Sequence, residues 1–359
     1  MSFGVYDRDS PKAEYLGCMT ANGLLVATHD LCWLHDPGPG HPENKFRLTA
    51  VKSGLTAAGL DDAIVWIEAP AADRSSIDAV HDRYLYDRLD QLAEAGGGAI
   101  DPDTTVSADS ASAAHRAAGA GLELIKRLRA GEGEAGWSIV RPPGHHATTE
   151  RQMGFCLFNN VAVAARHLAD HGERVMIVDV DAHHGNGTQD IFYADPDVLF
   201  VSFHQFPWYP FTGRPDETGA GAGEGTTVNI AMPAGATGDN FRLAFNSVVQ
   251  PVAERFKPTW VLVSAGFDGH RRDPLADLGL TSADYADMID AILDLVPPGR
   301  RLLFLEGGYD YDALADTAGA VAAKMLSVPY RPEEPSSGGP GAEHVEVARA
   351  IQMKGPLLG

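Results

Sequence analysis

The chain has 359 residues, of which 44% are hydrophobic and 21% are charged, a composition typical of a globular protein in water. Lys and Arg number 28 against 49 Asp and Glu, and the formal net charge of −21 argues against binding to the phosphate backbone of nucleic acids. Cys18, Cys32 and Cys156 form no Cys-x-x-Cys pair, so we predict neither a disulfide framework nor a thiolate zinc site. No apolar signal core or membrane-spanning stretch occurs, which predicts a cytoplasmic protein with no membrane partner.

Short apolar runs along the chain are predicted to be β-strands, and stretches with helical spacing lie between most of them. One of these helices begins with a capping box formed by Thr281 and Asp284. Alternating strands and helices favour a mostly parallel sheet with helices on both faces. The predicted strands are Leu24–Thr28, Ile64–Ile67, Ser138–Arg141, Val175–Asp179, Val198–Phe203, Thr227–Ala231, Trp260–Ser264 and Leu302–Leu305. The predicted helices are Asn44–Ala58, Tyr84–Ala95, Ala108–Ala130, Val161–His171, Phe241–Phe256, Ala283–Leu295 and Tyr311–Met325.

No linker and no repeat divides the chain, so we predict a single α/β domain over residues 1–359, with a core of about 20–327 and a C-terminal arm over 328–359. The arm is either loose or an element through which copies of the chain assemble. The sequence is therefore compatible with both a monomer and a homo-oligomer. Three loops are long or unusual, at residues 35–43, 96–103 and 205–225, and the last contains Trp208, Tyr209 and Phe211. Long loops in compact domains often carry binding residues.

The predicted strand Val175–Asp179 ends in a polar segment that could hold a metal ion. Open α/β sheets bind ligands at the carboxyl ends of their strands. Asp181 and His183 are two residues apart, so in an extended chain their side chains point to the same side. One carboxylate and one imidazole are two of the three protein ligands of a catalytic zinc site, although alone they could equally cap the next helix.

Three other predicted strands end in residues that suit the same chemistry. His145 and His146 follow Ser138–Arg141, Asp268 follows Trp260–Ser264, and Tyr309 follows Leu302–Leu305. Taken singly, a histidine pair is often a surface loop and a tyrosine is often a packed side chain. Together with Asp181 and His183, Asp268 gives an N,O ligand set for Zn²⁺, while the histidines could transfer protons and Tyr309 could donate a hydrogen bond. This combination predicts metal-assisted hydrolysis of an acyl bond.

These motifs resemble those of the histone deacetylase superfamily, in particular its class II branch and the bacterial histone deacetylase-like amidohydrolases. They occur in the family's order and cover about residues 20–327. The resemblance implies the arginase/deacetylase fold with a central eight-stranded parallel sheet, which agrees with the eight predicted strands. The matching segments are Arg141–His146, Gly154–Cys156, Phe158–Asn160, Asp179–Thr188, Ser264–Asp268 and Glu306–Tyr309.

The resemblance also implies a role for each catalytic residue. Three residues would bind one catalytic zinc ion: Asp181, His183 and Asp268. His146 would be the general base that takes a proton from the attacking water and the acid that protonates the leaving amine. His145 would assist electrostatically, and Tyr309 would hydrogen-bond the oxyanion. Asp179 would hold His145, and Asn186 would orient His146.

The substrate and a second ion are implied in the same way. Phe155 and Tyr209 would wall an acyl-lysine tunnel beside Gly154, and an apolar tunnel suits the methylene stem of lysine. Asp101 would be the acid at the rim that accepts hydrogen bonds from the substrate backbone, and Arg47 would line the channel below the metal. Family members also bind a structural potassium ion, which here would involve Asp179, Asp181, His183, Ser202 and Phe203.

The resemblance leaves alternatives for the substrate and the activity. Polyamine-selective members carry an acidic gatekeeper where this chain has Leu275, so an acyl-lysine peptide or protein is favoured as partner over an acetylated amine. Asp273 lies nearby in the sequence and could act as the acidic gatekeeper, so an acetylpolyamine amidohydrolase is the alternative activity. A dimanganese ureohydrolase would need acids where Gly185 and His270 stand. A non-catalytic acyl-lysine binding protein would be expected to lack the catalytic histidine or tyrosine, and both are present. The first loop lacks the cysteine cluster that binds a structural zinc in vertebrate class IIa members.

Overall fold

A computed structural model of the chain describes residues 23–357. The predictions made for the N-terminal segment and for Cys18 therefore lie outside the described residues. The described residues contain ten strands: β1 (Leu24–Thr28), β2 (Ile64–Glu68), β3 (Gly97–Ala99), β4 (Thr105–Ser107), β5 (Ala135–Ser138), β6 (Val175–Asp179), β7 (Val198–Gln205), β8 (Thr227–Met232), β9 (Trp260–Ala265) and β10 (Arg301–Leu305). Eight of them form one parallel sheet in the order β2-β1-β5-β10-β9-β6-β7-β8, and β3 pairs antiparallel with β4.

The helices follow or precede these strands along the chain. They are α1 (Phe46–Ala57), α2 (Arg74–Asp78), α3 (Arg83–Glu94), α4 (Ser110–Arg129), α5 (Asn160–Ala169), α6 (Asn186–Phe192), α7 (Gly238–Ala244), α8 (Gln250–Phe256), α9 (Ser282–Leu293), α10 (Tyr311–Met325) and α11 (Ala342–Gln352). A π-helical turn, Phe245–Val249, joins α7 to α8. The predicted capping box is present at the start of α9, where Thr281 and Asp284 each bond the backbone amide of the other. Within residues 23–357, no helix has both the length and the apolar composition needed to cross a membrane.

The predicted single α/β domain with an eight-stranded parallel sheet is confirmed, and seven of the eight predicted strands lie within strands of that sheet. One prediction of position was wrong, because β5 spans Ala135–Ser138 and not Ser138–Arg141. β5 pairs with β1 on one side and β10 on the other, and this pairing holds alanine and glycine, weak strand formers, in extended conformation. No predicted helix or strand corresponds to α2, α6, α11 or the β3–β4 pair.

The sheet places the four predicted strand ends side by side. β5, β10, β9 and β6 are consecutive in the sheet although they are far apart in the chain. Every residue of β5, β6 and β9 is buried. Because the strands are parallel, the polar segments that follow them meet at one edge of the sheet.

The described part of the C-terminal arm packs on the domain and is not loose. Val345 and Ala348 of α11 are buried, and Gln352 Nε2 donates a hydrogen bond of 3.2 Å to the carbonyl of Thr227 in β8. Glu333 Oε2 lies 2.7 Å from His270 Nε2. The arm therefore packs beside β8, one of the two edge strands of the sheet. A role in assembly stays a prediction.

Candidate metal centre and active site

Three ligand atoms converge beyond the ends of β6 and β9. His183 Nδ1 lies 3.1 Å from Asp181 Oδ1 and 3.0 Å from Asp268 Oδ2, and all three residues are buried. Main-chain amides hold the other carboxylate oxygens, from Gly307 to Asp181 Oδ2 at 2.8 Å and from Ala182 to Asp268 Oδ1 at 2.7 Å. The structure thus brings together the three residues predicted as zinc ligands. Two carboxylates and one imidazole are a donor set that suits Zn²⁺ and leaves a coordination position open.

Two glycines make room for these carboxylates. A Cβ atom at Gly266 would lie 1.9 Å from Asp181 Oδ2, and one at Gly307 would lie 2.1 Å from Asp268 Oδ2. Neither distance is compatible with a side chain at these positions. The close approach therefore requires glycine, and it holds both carboxylates against the backbone.

The charges around the triad favour a cation. Burial disfavours the charged form of His183, but the carboxylates of Asp268 and Asp181 hold the pKa of its imidazole well above the usual value. Burial likewise opposes ionisation of Asp181, yet His145 and His183 hold the pKa of this carboxyl well below its usual range. A site that stabilises positive charge on an imidazole also suits a divalent ion bound by the same groups.

The two histidines after β5 have different partners. His145 Nδ1 lies 2.9 Å from Asp179 Oδ2, whereas His146 Nδ1 lies 2.8 Å from Asn186 Oδ1. An amide oxygen only accepts hydrogen bonds, so Nδ1 of His146 carries the proton and its Nε2 is left free. The centroids of the two imidazole rings are 3.9 Å apart.

These partners separate the protonation states of the pair. Burial disfavours a charged His145, but Asp179 and Asp181 raise the pKa of its imidazole to about 10. Burial together with the neighbouring His145 holds the pKa of His146 well below its usual value. At neutral pH, therefore, His145 is the cation and His146 is the free base.

Tyr309 approaches the triad from the end of β10. Its backbone amide donates a 2.6 Å hydrogen bond to Asp273 Oδ2, and its ring centroid lies 4.9 Å from Cζ of the buried Arg47. Arg47 Nε in turn donates to the carbonyl of Gly308 at 2.7 Å, so the arginine supports the loop that carries Tyr309. Burial raises the pKa of the Tyr309 hydroxyl well above its usual value, which keeps it protonated as a hydrogen-bond donor.

A pocket of about 490 Å³ is lined by members of this group, among them His146, His183 and Tyr309. Its walls are mainly aromatic and aliphatic, and the centroid of the Tyr209 ring lies 5.3 Å from that of His146. Gly154 has φ 58°, and a Cβ there would lie 2.5 Å from His146 Cδ2, so glycine is required beside the base. Eight of the predicted site residues line the pocket: His145, His146, Gly154, Phe155, His183, Tyr209, Leu275 and Tyr309. The remaining lining residues are Asp103, Pro143, Pro207, Trp208, Phe211 and Gly307.

The predicted rim acid, Asp101, is not among the residues that line this pocket. Its Oδ1 accepts hydrogen bonds from the amides of Asp103 at 3.0 Å and Thr104 at 2.7 Å, so it shapes its own loop. Asp103 lines the pocket, and burial raises the pKa of its carboxyl. Both acids belong to one Asp-Pro-Asp segment, and only the turn decides which of them faces the pocket. A rim role for Asp101 stays a prediction.

Two of the residues predicted to bind potassium, Asp181 and His183, belong to the triad, and the other three lie on the neighbouring strands β6 and β7. Asp179 of β6 is in register with Ser202 of β7, and Phe203 follows Ser202 in the same buried strand. The amide of Asp181 donates a 3.1 Å hydrogen bond to Asp179 Oδ1. Binding of potassium itself stays a prediction.

Two buried carboxylates that were not predicted as site residues support the site, Glu306 and Glu43. Glu306 Oε2 accepts hydrogen bonds from the amides of Gly144 at 2.7 Å and His145 at 3.2 Å, which fixes the segment that carries the histidine pair. Glu43 Oε2 accepts a 2.7 Å hydrogen bond from Arg141 Nη2. The position of Glu306 directly after a predicted strand could have indicated a role in the site. Glu43 lies in a Pro/Gly-rich loop, where the periodicity of the sequence gives no indication of such a role.

The family model described as "Histone deacetylase domain" matches residues 41–325. A "Probable deacetylase" of Archaeoglobus fulgidus is 38% identical over 307 residues, which cover 84% of this chain and 85% of that protein. "Histone deacetylase 10, chloroplastic" of Oryza sativa subsp. japonica is 45% identical over 222 residues, 59% of this chain and 50% of that protein, so the match spans about half of the rice relative.

Solved structures agree with this assignment. The crystal structure of the HDA15 HD domain matches with a TM-score of 0.86 at 35% identity, and the match covers 93% of this chain and 95% of that one. Fold and sequence therefore lead to the same family, and the matched residues include the triad, the histidine pair and Tyr309. The resemblance inferred from the motifs is confirmed: this chain belongs to the histone deacetylase family of hydrolases.

Proposed function

We propose that this protein is a zinc-dependent deacylase that hydrolyses the amide of N-ε-acetyl-lysine, or a similar acyl-lysine, in a peptide or protein. The observation that carries the proposal is that three side chains able to hold a metal ion lie together, and that His183 of this group lines one apolar pocket together with the neutral His146 and Tyr309. The relatives named deacetylases support the same reaction class.

The residues present fit the metal. Asp181, His183 and Asp268 would hold Zn²⁺, since their donor set and the room left by the glycines suit it. When bound, the ion would supply Lewis-acid chemistry that polarises a carbonyl group and makes water more acidic at neutral pH.

The chain's own residues move the protons. His146 Nε2 would accept a proton from the water that attacks the amide carbon, while Asn186 holds the other side of the ring. The carbon–nitrogen bond then breaks, and the same imidazole returns the proton to the leaving amine. His145, kept positive by Asp179, would stabilise the developing negative charge, and the Tyr309 hydroxyl would donate a hydrogen bond to the oxyanion.

The pocket walls support an acyl-lysine as the substrate. Phe155 and Tyr209 offer an apolar tunnel for the four methylene groups of the side chain. Leu275 lines the pocket, whereas Asp273 Oδ2 accepts hydrogen bonds from the backbone amides of Tyr309 and Asp310. Asp273 is the acid that could have bound an acetylpolyamine, and it is instead hydrogen-bonded to the backbone. This favours a peptide substrate over an acetylpolyamine.

Three further proposals accompany this function. A structural potassium ion would lie beside the triad at the residues named above, and Asp101 would contact the substrate backbone at the rim. A cytoplasmic location is supported by Cys32 and Cys156, which are buried and unpaired.

The test is turnover by zinc-loaded protein of an acetyl-lysine peptide and of N-acetylputrescine, with bound metal measured on the same sample. We expect one zinc per chain and a preference for the peptide, and Asp268→Ala serves as the metal-free control. A strong preference for N-acetylputrescine would instead identify an acetylpolyamine amidohydrolase. Absence of both bound zinc and hydrolysis would leave only a non-catalytic binding protein.

A further inference from the structure

An exposed aromatic patch continues the pocket onto the surface of the protein. Trp208 and Phe211 both line the pocket, yet 37% of Trp208 and 74% of Phe211 are exposed. Both residues lie in the long loop between β7 and β8. We call these two residues the aromatic patch.

Phe211 adopts a conformation that a phenylalanine seldom takes. Its φ of 65° lies in the left-handed region, where a bulky side chain is strained and glycine is favoured. Its ring is largely exposed, so burial in this chain offsets little of that strain. A strained backbone and an exposed aromatic side chain at the mouth of a pocket are better explained by binding than by folding.

The loop that carries the aromatic patch is held in place on both sides. Trp208 Nε1 donates a 2.9 Å hydrogen bond to the carbonyl of Leu275. Directly after Phe211, Thr212 Oγ1 lies 2.8 Å from Nδ1 of the buried His184, the neighbour of the predicted metal ligand His183. The patch is therefore presented in a defined position relative to the triad, and a ligand would lose little energy in ordering it.

We propose that the aromatic patch binds a large apolar or aromatic side chain next to the acyl-lysine of a peptide substrate. This inference rests on the proposed function and narrows its substrate to acyl-lysines with such a neighbour. The patch is continuous with the pocket, and residues of an extended peptide are spaced by about 3.3 Å, so a side chain beside the acyl-lysine reaches the pocket mouth. The carboxyl of Asp103 lines the same pocket and can accept hydrogen bonds from a peptide backbone, whereas a free acetylated amine offers neither amides nor a neighbouring side chain.

The experiment compares two acetyl-lysine peptides that differ only in the residue next to the acetyl-lysine, Trp in one and Gly in the other. Zinc-loaded wild-type protein should show a kcat/KM for the Trp peptide that is roughly tenfold higher, the size expected for one apolar contact. In Phe211→Gly this ratio should fall towards one, and the variant can fold because glycine suits the left-handed conformation. Tyr84→Ala, which removes an aromatic ring 60% exposed and outside the pocket, should keep the wild-type ratio.

The outcomes separate this inference from the proposed function. If the wild type hydrolyses both peptides equally well, the inference is wrong and the deacylase proposal stands. A ratio that survives in Phe211→Gly would also overturn it. Hydrolysis of neither peptide would overturn both, and a loss of the ratio in Tyr84→Ala would show that the effect does not come from the aromatic patch.

Discussion

Replacing Gly307 by alanine tests whether the backbone holds the carboxylates of the triad in a shape that binds a metal. The new Cβ atom would lie 2.1 Å from Asp268 Oδ2 and 2.6 Å from Asp181 Oδ2. Contacts of a Cβ below 3.0 Å essentially do not occur, so the Asp268 carboxylate and the Gly307 backbone must separate from 2.1 Å to at least 3.0 Å, by about 0.9 Å.

That displacement is large on the scale of a metal site. Oxygen ligands of zinc lie at about 2.0–2.2 Å, and a shift of nearly 1 Å takes the carboxylate out of bonding distance. Misplacing a reacting group by about 1 Å costs roughly 10²-fold in rate. We therefore expect Gly307→Ala to lose at least about 10²-fold in kcat/KM and to bind zinc much more weakly.

The assay measures zinc content after dialysis, thermal stability and turnover of an acetyl-lysine peptide on the same preparations. Gly355→Ala is the matched control, because a Cβ there meets its nearest neighbour at an ordinary 3.4 Å and lies far from the triad in sequence. A Gly307→Ala protein that keeps wild-type zinc affinity and wild-type activity would refute the reasoning, since the carboxylates would then not depend on the glycine.

Three further substitutions test other parts of the site and the arm. Tyr309→Phe should lower kcat by roughly 10²–10³-fold with little change in zinc content, because it removes one oxyanion donor; a kcat within a few-fold of the wild type would contradict that role. His146→Ala should abolish most turnover in steady-state assays while zinc stays bound, and metal loss equal to that of Asp268→Ala would mean that the ligands are misassigned. Burial opposes ionisation of Glu333, but the Ser282 amide, His270 and Arg271 lower the pKa of this carboxyl to about 2. A carboxyl pKa below its usual 4.5 stabilises the fold above that pH and ceases to do so as the pH falls towards 2. In denaturant titrations Glu333→Gln should therefore be less stable than the wild type at pH 6, with a smaller difference at pH 3, and Glu334→Gln at the neighbouring exposed position is the matched control.

The sequence by itself determined the strands and the residue types that follow them. Val175–Asp179 is predicted and observed with the same bounds, because four consecutive apolar residues, three of them β-branched, favour a buried strand. The capping box of Thr281 and Asp284 is equally local, since both partners lie within one turn. Local preference failed at Ala135–Ser138, where neighbouring strands impose the extended conformation.

Only the tertiary structure decided what these residues do to one another. His145 and His146 are adjacent in the chain, yet one is held positive by a carboxylate and the other stays neutral beside an amide, and both partners come from distant segments. Likewise, the turn that carries Asp101 decides that Asp103 lines the pocket. Strand-forming preference acts over a few neighbouring residues, whereas electrostatic fields and pocket walls depend on which strand ends the sheet order places side by side.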